Sequence, residues 1–220
     1  MEKALKLMFF GAPGAGKGTQ AEIAAKKYAI PTISTGAILR EAVAAKTELG
    51  KLAAGYMESG ALVPDEVIVG IVRDRLAEDD CKGGFILDGF PRTLAQAEAF
   101  DETGIGLSMV IDIEVEDEKI ITRMSGRRVC GKCGETYHTV YNPSVDNVHC
   151  TKCGAELTIR KDDDPEVVKR RLTTYHNDTE PLREYYKKKG LLRIVQGQEK
   201  LDDTTALTTA VIEEYLRGNQ

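Results

Sequence analysis

The chain has 220 residues, 42% hydrophobic and 30% charged, which fits one globular α/β domain with insertions. The net charge of −5 argues against a general nucleic-acid binder, and no stretch approaches the ~18 apolar residues that a membrane helix needs. We therefore expect neither nucleic acid nor membrane as a partner. Because the N-terminus lacks the pattern of a secretory signal, we expect a cytoplasmic protein.

The first predicted strand, residues 5–10, runs into a glycine-rich loop with the sequence Gly-Ala-Pro-Gly-Ala-Gly-Lys-Gly-Thr at 11–19. Strand, glycine loop with lysine, and helix are typical of a phosphate-binding P-loop, whose backbone N–H groups and helix dipole face the anion. Lys17 then reaches the terminal phosphates. Gly18 stands where most P-loops place the Ser or Thr that holds magnesium, so the metal would be anchored from elsewhere. An ordinary glycine turn or a signal peptide is the alternative, but Lys17 interrupts an apolar signal core.

The residues after the P-loop predict four helices and one short strand. Pro31 disfavours helix and β-branched residues follow it, which indicates a strand. Ser34 or Thr35 can cap the next helix, Gly60 can close another, and Pro64 suits a helix start. The predicted helices cover 19–28, 37–45, 49–61 and 64–76, and the strand covers 30–34.

Strands and helices continue to alternate in the second half, which predicts parallel βαβ units. The predicted strands are 85–87, 109–115 and 191–195, and the predicted helices are 93–100, 117–124, 164–175, one starting or kinked at Pro181, and 204–216. Asp88 follows the first of these strands, at the edge where open α/β sheets bind ligands. It is a candidate for holding the hydration shell of magnesium, and the alternative is a turn-capping aspartate.

Residues 126–163, called the insert below, lack helical periodicity and predict short strands. They contain two C-x-x-C pairs separated by sixteen residues, namely Cys130 with Cys133 and Cys150 with Cys153. Four thiolates complete a tetrahedral zinc site and leave no position for substrate, so we expect a structural metal. Sulfur ligands would also accept iron or cobalt. A pair of redox disulfides is the alternative, although this spacing is not the thioredoxin pattern.

A zinc ribbon can also bind nucleic acid, but the charges of the insert nearly balance. Its cations are Arg127, Arg128, Lys132, Lys152, Arg160 and Lys161, and its anions are Glu135, Asp146, Glu156, Asp162 and Asp163. This balance does not predict a groove for a phosphate backbone. We interpret the insert as a lid, its two histidines, His138 and His149, as ordinary surface residues, and Cys81 as structural.

Arginines follow glycine turns and strand ends, stand at the two ends of the insert, and lie on the helix after it. These are Arg40, Arg92, Arg123, Arg127, Arg128, Arg160, Arg170 and Arg171. Planar guanidinium groups bind phosphate oxygens bidentately, and phosphoryl transfer between nucleotides requires many charges to be neutralised together. For four further arginines, Arg73, Arg75, Arg183 and Arg193, we prefer an ordinary solvated surface.

Together these motifs resemble adenylate kinases of the long bacterial type with a metal-binding lid. The resemblance rests on residues 11–20, 33–36, 87–92, 125–128 and 160–163 and spans nearly the whole chain. It implies an α/β P-loop nucleoside monophosphate kinase fold, with a parallel five-stranded sheet flanked by helices and a zinc-ribbon-like lid. It also implies a monomer with three parts. These are a core of residues 1–33, 64–125 and 164–220, an AMP-binding segment of residues 34–63, and the lid of residues 126–163.

The resemblance implies reversible, magnesium-dependent conversion of ATP and AMP into two ADP, serving adenine nucleotide homeostasis. Implied ATP-binding residues are Gly14, Ala15, Gly16, Lys17, Gly18, Thr19, Arg123, Arg127, Thr136 and Tyr137. Implied AMP-binding residues are Thr35, Gly36, Arg40, Met57, Ala61, Leu62, Val63, Gly89, Arg92, Gln96, Arg160 and Arg171, with Gln96 reading the adenine edge. Implied catalytic residues are Lys17, Asp88, Arg92, Arg127, Arg160 and Arg171. Asp162 and Asp163 would help to close the lid.

Two positions depart from the family pattern. Ala37 replaces a usual acidic residue, and Gln196-Gly197-Gln198 replaces a common Asp-Gly. The alternatives within the same chemistry are a GTP:AMP phosphotransferase or another nucleoside monophosphate kinase. An alternative of another class is a zinc-ribbon RNA-binding or regulatory protein that uses the P-loop as a switch.

Overall fold

A computed structural model describes residues 4–218, and a parallel five-stranded sheet lies at its centre. The strands in chain order are β1 (Leu5–Phe10), β2 (Thr32–Ser34), β3 (Gly84–Asp88), β4 (Met109–Glu114), β5 (Arg127–Cys130), β6 (Thr136–His138), β7 (Leu157–Thr158) and β8 (Leu192–Gln196). The central sheet has the order β2-β3-β1-β4-β8. All five strands predicted for it are present, and the predicted fold class is confirmed.

Helices cover both faces of this sheet. They are α1 (Lys17–Tyr28), α2 (Thr35–Ala44), α3 (Glu48–Ser59), α4 (Asp65–Leu76), α5 (Leu94–Glu102), α6 (Asp117–Gly126), α7 (Pro165–Thr174), α8 (Leu182–Lys188) and α9 (Leu201–Gly218). Within residues 4–218, no helix is long and apolar enough to cross a membrane.

Side chains of β1 alternate between the two faces, as the two-residue period of a strand requires. Leu7 and Phe9 pack in the cluster that includes residues of α1 and α9, whereas Met8 and Phe10 pack in the larger cluster on the other face. These four residues are at most 3% exposed. Burial on both faces explains why the central strands read as continuous apolar runs in the sequence.

The order of the strands brings the P-loop and Asp88 to the same edge of the sheet. β1 lies between β3 and β4, with Phe9 paired to Asp88 and Phe10 paired to Asp112. Because the strands are parallel, their carboxyl ends meet at one edge. The P-loop leaves β1 at this edge, and Asp88 ends β3 beside it, which is where ligands bind in open α/β sheets.

The insert forms a small antiparallel sheet with the order β6-β5-β7. Its core contains Tyr137, Leu157 and the cysteines. The group of candidate metal ligands consists of the four cysteines and includes neither His138 nor His149. His149 pairs with Asp146 at the surface, but the interpretation of His138 as an ordinary surface residue is wrong. Its ring packs against Tyr141 with centroids 4.5 Å apart, and its Nδ1 accepts a backbone hydrogen bond from Val140.

The prediction that a second helix starts at Pro181 is confirmed, and one further turn lies between α7 and α8. A π-helical turn, Tyr175–Thr179, follows α7, and Pro181 stands at the N-cap of α8.

The interpretation of Arg183 as a solvated surface arginine is also wrong. Its side chain is 24% exposed and forms ion pairs with Asp112 at 2.7 Å and Glu114 at 2.5 Å. Asp112 is 1% exposed, so the arginine compensates a buried carboxylate.

Candidate active site

The P-loop turns tightly between β1 and α1. Gly11, Gly14 and Gly16 have φ values of 127°, 83° and 102°, in the region that favours glycine. Position 11 is also too crowded for a side chain, because a Cβ on Gly11 would lie 2.5 Å from the Ile113 carbonyl oxygen. Gly16 is the N-cap of α1 and no side chain caps this helix. Its first N–H groups therefore remain available to an anion.

Lys17 is the first residue of α1, and its ammonium group folds back over the loop. Nζ donates a hydrogen bond to the Ala12 carbonyl oxygen at 2.7 Å. Burial lowers the pKa of Lys17 to about 8, and the nearby Asp88 carboxylate partly opposes that shift. The positive charges of Arg92 and Arg171 lower the pKa further. The predicted phosphate-binding lysine therefore lies in the same electrostatic environment as two predicted arginines.

Asp88 lies beside the position where other P-loops carry a hydroxyl group. Its Oδ2 accepts a hydrogen bond from Ser34 Oγ at 3.0 Å, and it lies 3.5 Å from the place of a Cβ on Gly18. Gly18 has no hydroxyl group, but the carboxylate of Asp88, at the end of β3, lies close to that position. Carboxylate oxygens are hard ligands that suit magnesium or its bound water, so the residues present fit the metal.

The end of β3 forms another part of the site, called the acceptor pocket below. The Gly89 carbonyl oxygen accepts hydrogen bonds from Thr35 Oγ1 and Arg92 Nε, both at 2.8 Å. Gly89 has a φ of 77°, and a Cβ there would lie 2.8 Å from Arg92 Nη2. Burial lowers the pKa of Arg92, and Asp88 opposes this shift. The carbonyl holds the threonine and the arginine together at the pocket.

Asp65, which the sequence did not mark as a site residue, anchors this pocket. It begins α4, and its Oδ1 accepts a hydrogen bond from Gln96 Nε2 at 2.7 Å. Its Oδ2 accepts another from Thr93 Oγ1 at 2.9 Å. Gln96 is 1% exposed, although it lines the cleft. In the sequence, the Val-Pro-Asp-Glu pattern indicates only the start of a helix. Acidic residues are common in the first turn of a helix, so Asp65 did not stand out as a site residue.

One cleft brings together most of the predicted acceptor residues. All of them except Arg160 line it, and so do Lys17 and Asp162. The predicted residues that line the cleft are Thr35, Gly36, Arg40, Met57, Ala61, Leu62, Val63, Gly89, Arg92, Gln96 and Arg171. Loop, strand-end and helix residues from distant parts of the sequence therefore share one surface.

Two aspartates at the end of the insert balance the arginines of the cleft. Arg127 forms a two-point ion pair with the buried Asp163, and Arg171 pairs with Asp162 at 2.9 Å. Burial lowers the pKa of Arg160 to about 10, and the charge of Arg127 lowers it further. Such crowded cations suit a ligand with several negative charges.

Arg123 lies on α6 and is not among the residues that line the cleft. Its Nη2 donates to the Gln198 carbonyl oxygen at 2.7 Å and so joins α6 to the loop after β8. Residues 196–198 differ from the family pattern, but this contact uses a backbone carbonyl and is therefore kept. A Cβ on Gly197 would lie 2.3 Å from Val115 Cγ2, which explains the glycine within that departure.

Thr136 and Tyr137 lie on β6 of the insert. The Tyr137 side chain is 8% exposed, and its hydroxyl group lies 3.4 Å from Cys150 Sγ. That side chain faces the interior of the insert. A nucleotide contact from residue 137 would therefore use its backbone.

The four cysteines of the insert converge as their spacing predicts. Their Sγ atoms all lie within 4.8 Å of one another. Cys130 Sγ is 3.4 Å from Cys153 Sγ, Cys133 Sγ is 3.5 Å from Cys150 Sγ, and the thiols are free. A tetrahedral metal bound at ~2.3 Å from each sulfur fits this cluster. The structure therefore contains a candidate metal centre within the insert.

Comparison with known proteins agrees with this geometry. The family model described as adenylate kinase matches residues 9–191. An adenylate kinase of Caldicellulosiruptor bescii is 56% identical over 91% of this chain and 95% of its own length. Adenylate kinases of Agathobacter rectalis and Archaeoglobus fulgidus are 51% and 50% identical over 96% of this chain, covering 100% and 99% of their own lengths. The chain belongs to the adenylate kinase family and is a nucleoside monophosphate kinase.

Proposed function

We propose that this enzyme transfers the terminal phosphoryl group of magnesium-bound ATP to AMP and, in reverse, forms ATP and AMP from two ADP. The observation that carries the proposal is the shared cleft. Lys17 of the P-loop, Arg92 and Arg171 lie there with the pocket lined by Thr35 and Gln96. A donor loop and an acceptor pocket that share cations match a direct transfer between two nucleotides.

On the donor side, the P-loop holds the phosphates of ATP. Its binding residues are Gly14, Ala15, Gly16, Lys17, Gly18 and Thr19. Arg123 and Arg127 add cationic contacts, and Thr136 and Tyr137 contribute from the insert. The uncapped N-terminus of α1 supports this assignment, because its N–H groups and dipole favour an anion.

On the acceptor side, Gln96 reads the adenine edge and the arginines hold the phosphate of AMP. The binding residues are Thr35, Gly36, Arg40, Met57, Ala61, Leu62, Val63, Gly89, Arg92, Gln96, Arg160 and Arg171. The enclosed position of the Gln96 amide supports this role, since a buried polar group discriminates more strongly than an exposed one.

Transfer needs alignment and charge neutralisation rather than a covalent intermediate or a general base. Lys17, Arg92, Arg127, Arg160 and Arg171 act as these cations. Magnesium, when bound through nucleotide and water with Asp88 as the neighbouring carboxylate, supplies further charge neutralisation on the phosphates. Before a nucleotide binds, Asp162 and Asp163 act as counter-ions that keep the arginines in place.

We divide the chain into a core of residues 1–33, 64–125 and 164–220, an AMP-binding segment of residues 34–63 and a lid of residues 126–163. Closure of the lid and the segment excludes water, which would otherwise hydrolyse ATP. Contacts of the AMP-binding segment with the lid and with the core support such a closure. Lys161 pairs with Glu58 at 3.2 Å, and Arg170 Nε donates to the Ser59 carbonyl oxygen at 2.8 Å.

The metal held by Cys130, Cys133, Cys150 and Cys153 is zinc in this proposal and has a structural role. Four sulfur ligands complete its coordination and leave no position for a substrate. The enzyme acts in the cytoplasm as a monomer and serves adenine nucleotide homeostasis. Its partners are ATP, AMP and ADP, without nucleic acid or membrane.

Initial rates test the proposed reaction. ATP and GTP are compared as donors, and AMP, GMP, CMP and UMP are compared as acceptors, each with and without magnesium. We expect the highest kcat/KM for ATP with AMP, two ADP formed for each ATP consumed, and loss of the rate without magnesium. No ADP formation from ATP and AMP, or a higher kcat/KM with another pair, would contradict the proposal.

The low pKa of Lys17 predicts proton uptake when ATP binds. Without nucleotide this pKa is about 8, and phosphates that favour the charged ammonium raise it. Between the two pKa values the complex holds more protons than the free enzyme, so affinity should fall as the pH rises through 8. The expected uptake is a fraction of one proton per ATP at about pH 8.5. Calorimetric titration with ATP alone in two buffers of different ionisation enthalpy measures it.

Lys17→Arg is the control for this titration. An arginine stays charged in both states, so its proton uptake at the same pH should vanish. Equal uptake by the wild-type enzyme and this variant would assign the proton to another group and reject the explanation.

A further inference from the structure

The side-chain amide of Gln96 is held at both ends. Its Oε1 accepts a hydrogen bond from the Arg92 backbone N–H at 2.8 Å. Its Nε2 donates to Asp65 Oδ1 at 2.7 Å. A backbone N–H can only donate and an ionised carboxylate can only accept, so the two partners distinguish the oxygen end from the nitrogen end.

Asp65 is itself fixed in place. It is the first residue of α4, and its second oxygen accepts a hydrogen bond from Thr93 Oγ1 at 2.9 Å. The same Thr93 oxygen caps α5 by accepting the Gln96 backbone N–H at 3.2 Å. These bonds close a ring between the starts of two helices. The carboxylate therefore cannot swing away from Gln96 without uncoupling those helix starts.

After these bonds, the amide keeps one N–H donor and one acceptor lone pair. The 6-amino group and N1 of adenine offer a donor and an acceptor at its edge. A 6-oxopurine, as in inosine or guanosine monophosphate, offers the reverse at the same two positions. Exchanging the ends of the amide would therefore exchange the base that the site prefers.

We propose that Asp65 is a positioning residue that fixes the Gln96 amide for a 6-aminopurine and against a 6-oxopurine. The proposal deepens the acceptor specificity described above and rests on AMP being the acceptor. Asp65 acts through Gln96 and takes no part in phosphoryl transfer. Its removal should change selectivity between bases and leave the chemical step intact.

The test compares kcat and KM for AMP and for inosine monophosphate in four proteins. These are the wild type, Asp65→Ala, Asp65→Asn and Glu66→Ala. Glu66 is the exposed carboxylate next on the same helix, so its variant controls for lost charge at the helix start. Asparagine keeps an oxygen that can accept the Gln96 N–H.

We expect Asp65→Ala to raise the KM for AMP about tenfold, to lower the preference for AMP over inosine monophosphate by a similar factor, and to retain most of the kcat. Asp65→Asn should keep most of the wild-type preference, and Glu66→Ala should keep all of it. Melting temperatures of all variants separate misfolding from misorientation.

Two results would overturn the inference. The first is an equal loss of kcat/KM for both acceptors in Asp65→Ala, and the second is a preference in Asp65→Asn as low as in Asp65→Ala. Either would leave Asp65 with a structural role only. Failure of the wild-type enzyme to form ADP from ATP and AMP would instead reject the proposed function itself.

Discussion

Replacement of Lys17 by methionine is expected to lower kcat for ADP formation by about three orders of magnitude or more. The ammonium group is the cation of the P-loop and lies near Asp88, Arg92 and Arg171. Methionine fills similar space but cannot stabilise charge on the moving phosphoryl group. The folded protein should be no less stable, because burial already disfavours the charged lysine and lowers its pKa to about 8. Steady-state rates and thermal melting measure the two effects.

Lys26→Met is the matched control, since Lys26 is an exposed lysine on the same helix. Its kcat should remain within about twofold of the wild-type value, as is usual for a surface substitution. A Lys17→Met enzyme with near-normal kcat would remove Lys17 from the transfer step. A sharply lower melting temperature would instead assign the lysine a role in folding.

Replacement of Cys130 by serine is expected to lower the melting temperature by about 10 °C or more. A structural zinc site contributes on the order of 10 kcal/mol to the folding of isolated modules. Cys130 is 2% exposed within the insert, so its loss removes one ligand and opens the small core of that insert. Turnover at low temperature should fall much less, because the cluster is separate from the residues that line the cleft.

Metal analysis accompanies this measurement. We expect about one zinc per wild-type chain and a clear loss in Cys130→Ser, whereas Cys81→Ser, whose thiol is outside the cluster, should keep the metal. Chelation of the wild-type metal should reproduce the lower melting temperature. Equal losses of stability and of low-temperature turnover would contradict a purely structural metal.

Local sequence patterns predicted the parts of the site that depend on local geometry. The P-loop needs glycines at particular backbone conformations, so residues 11–19 carry a readable pattern. The cysteine cluster is similar, because each C-x-x-C pair is one turn and four sulfurs favour one metal. The sheet followed from apolar runs, since strands buried on both faces have few polar residues.

Residues whose roles depend on long-range contacts could not be recognised from local patterns. The family resemblance named Gln96, but nothing in the sequence named its partner Asp65, which lies 31 positions away and meets it because α4 and α5 begin side by side. Arg183 was interpreted as a surface residue, although it compensates the buried Asp112 on β4. An exposed helical arginine and a bridging one have the same sequence pattern. Only the packing of α8 near the end of β4 distinguishes them.

The two ends of the insert lie next to each other. β5 leaves α6 and pairs with β7, with Val129 opposite Thr158 and Cys130 opposite Leu157, and the ion pair from Arg127 to Asp163 closes the junction. A segment whose ends coincide can be exchanged for a shorter or metal-free one without rerouting the rest of the polypeptide. The candidate metal centre is therefore confined to one contiguous segment, and descent or engineering can exchange that segment only together with Arg127 and Arg160, the two arginines that it carries into the proposed site.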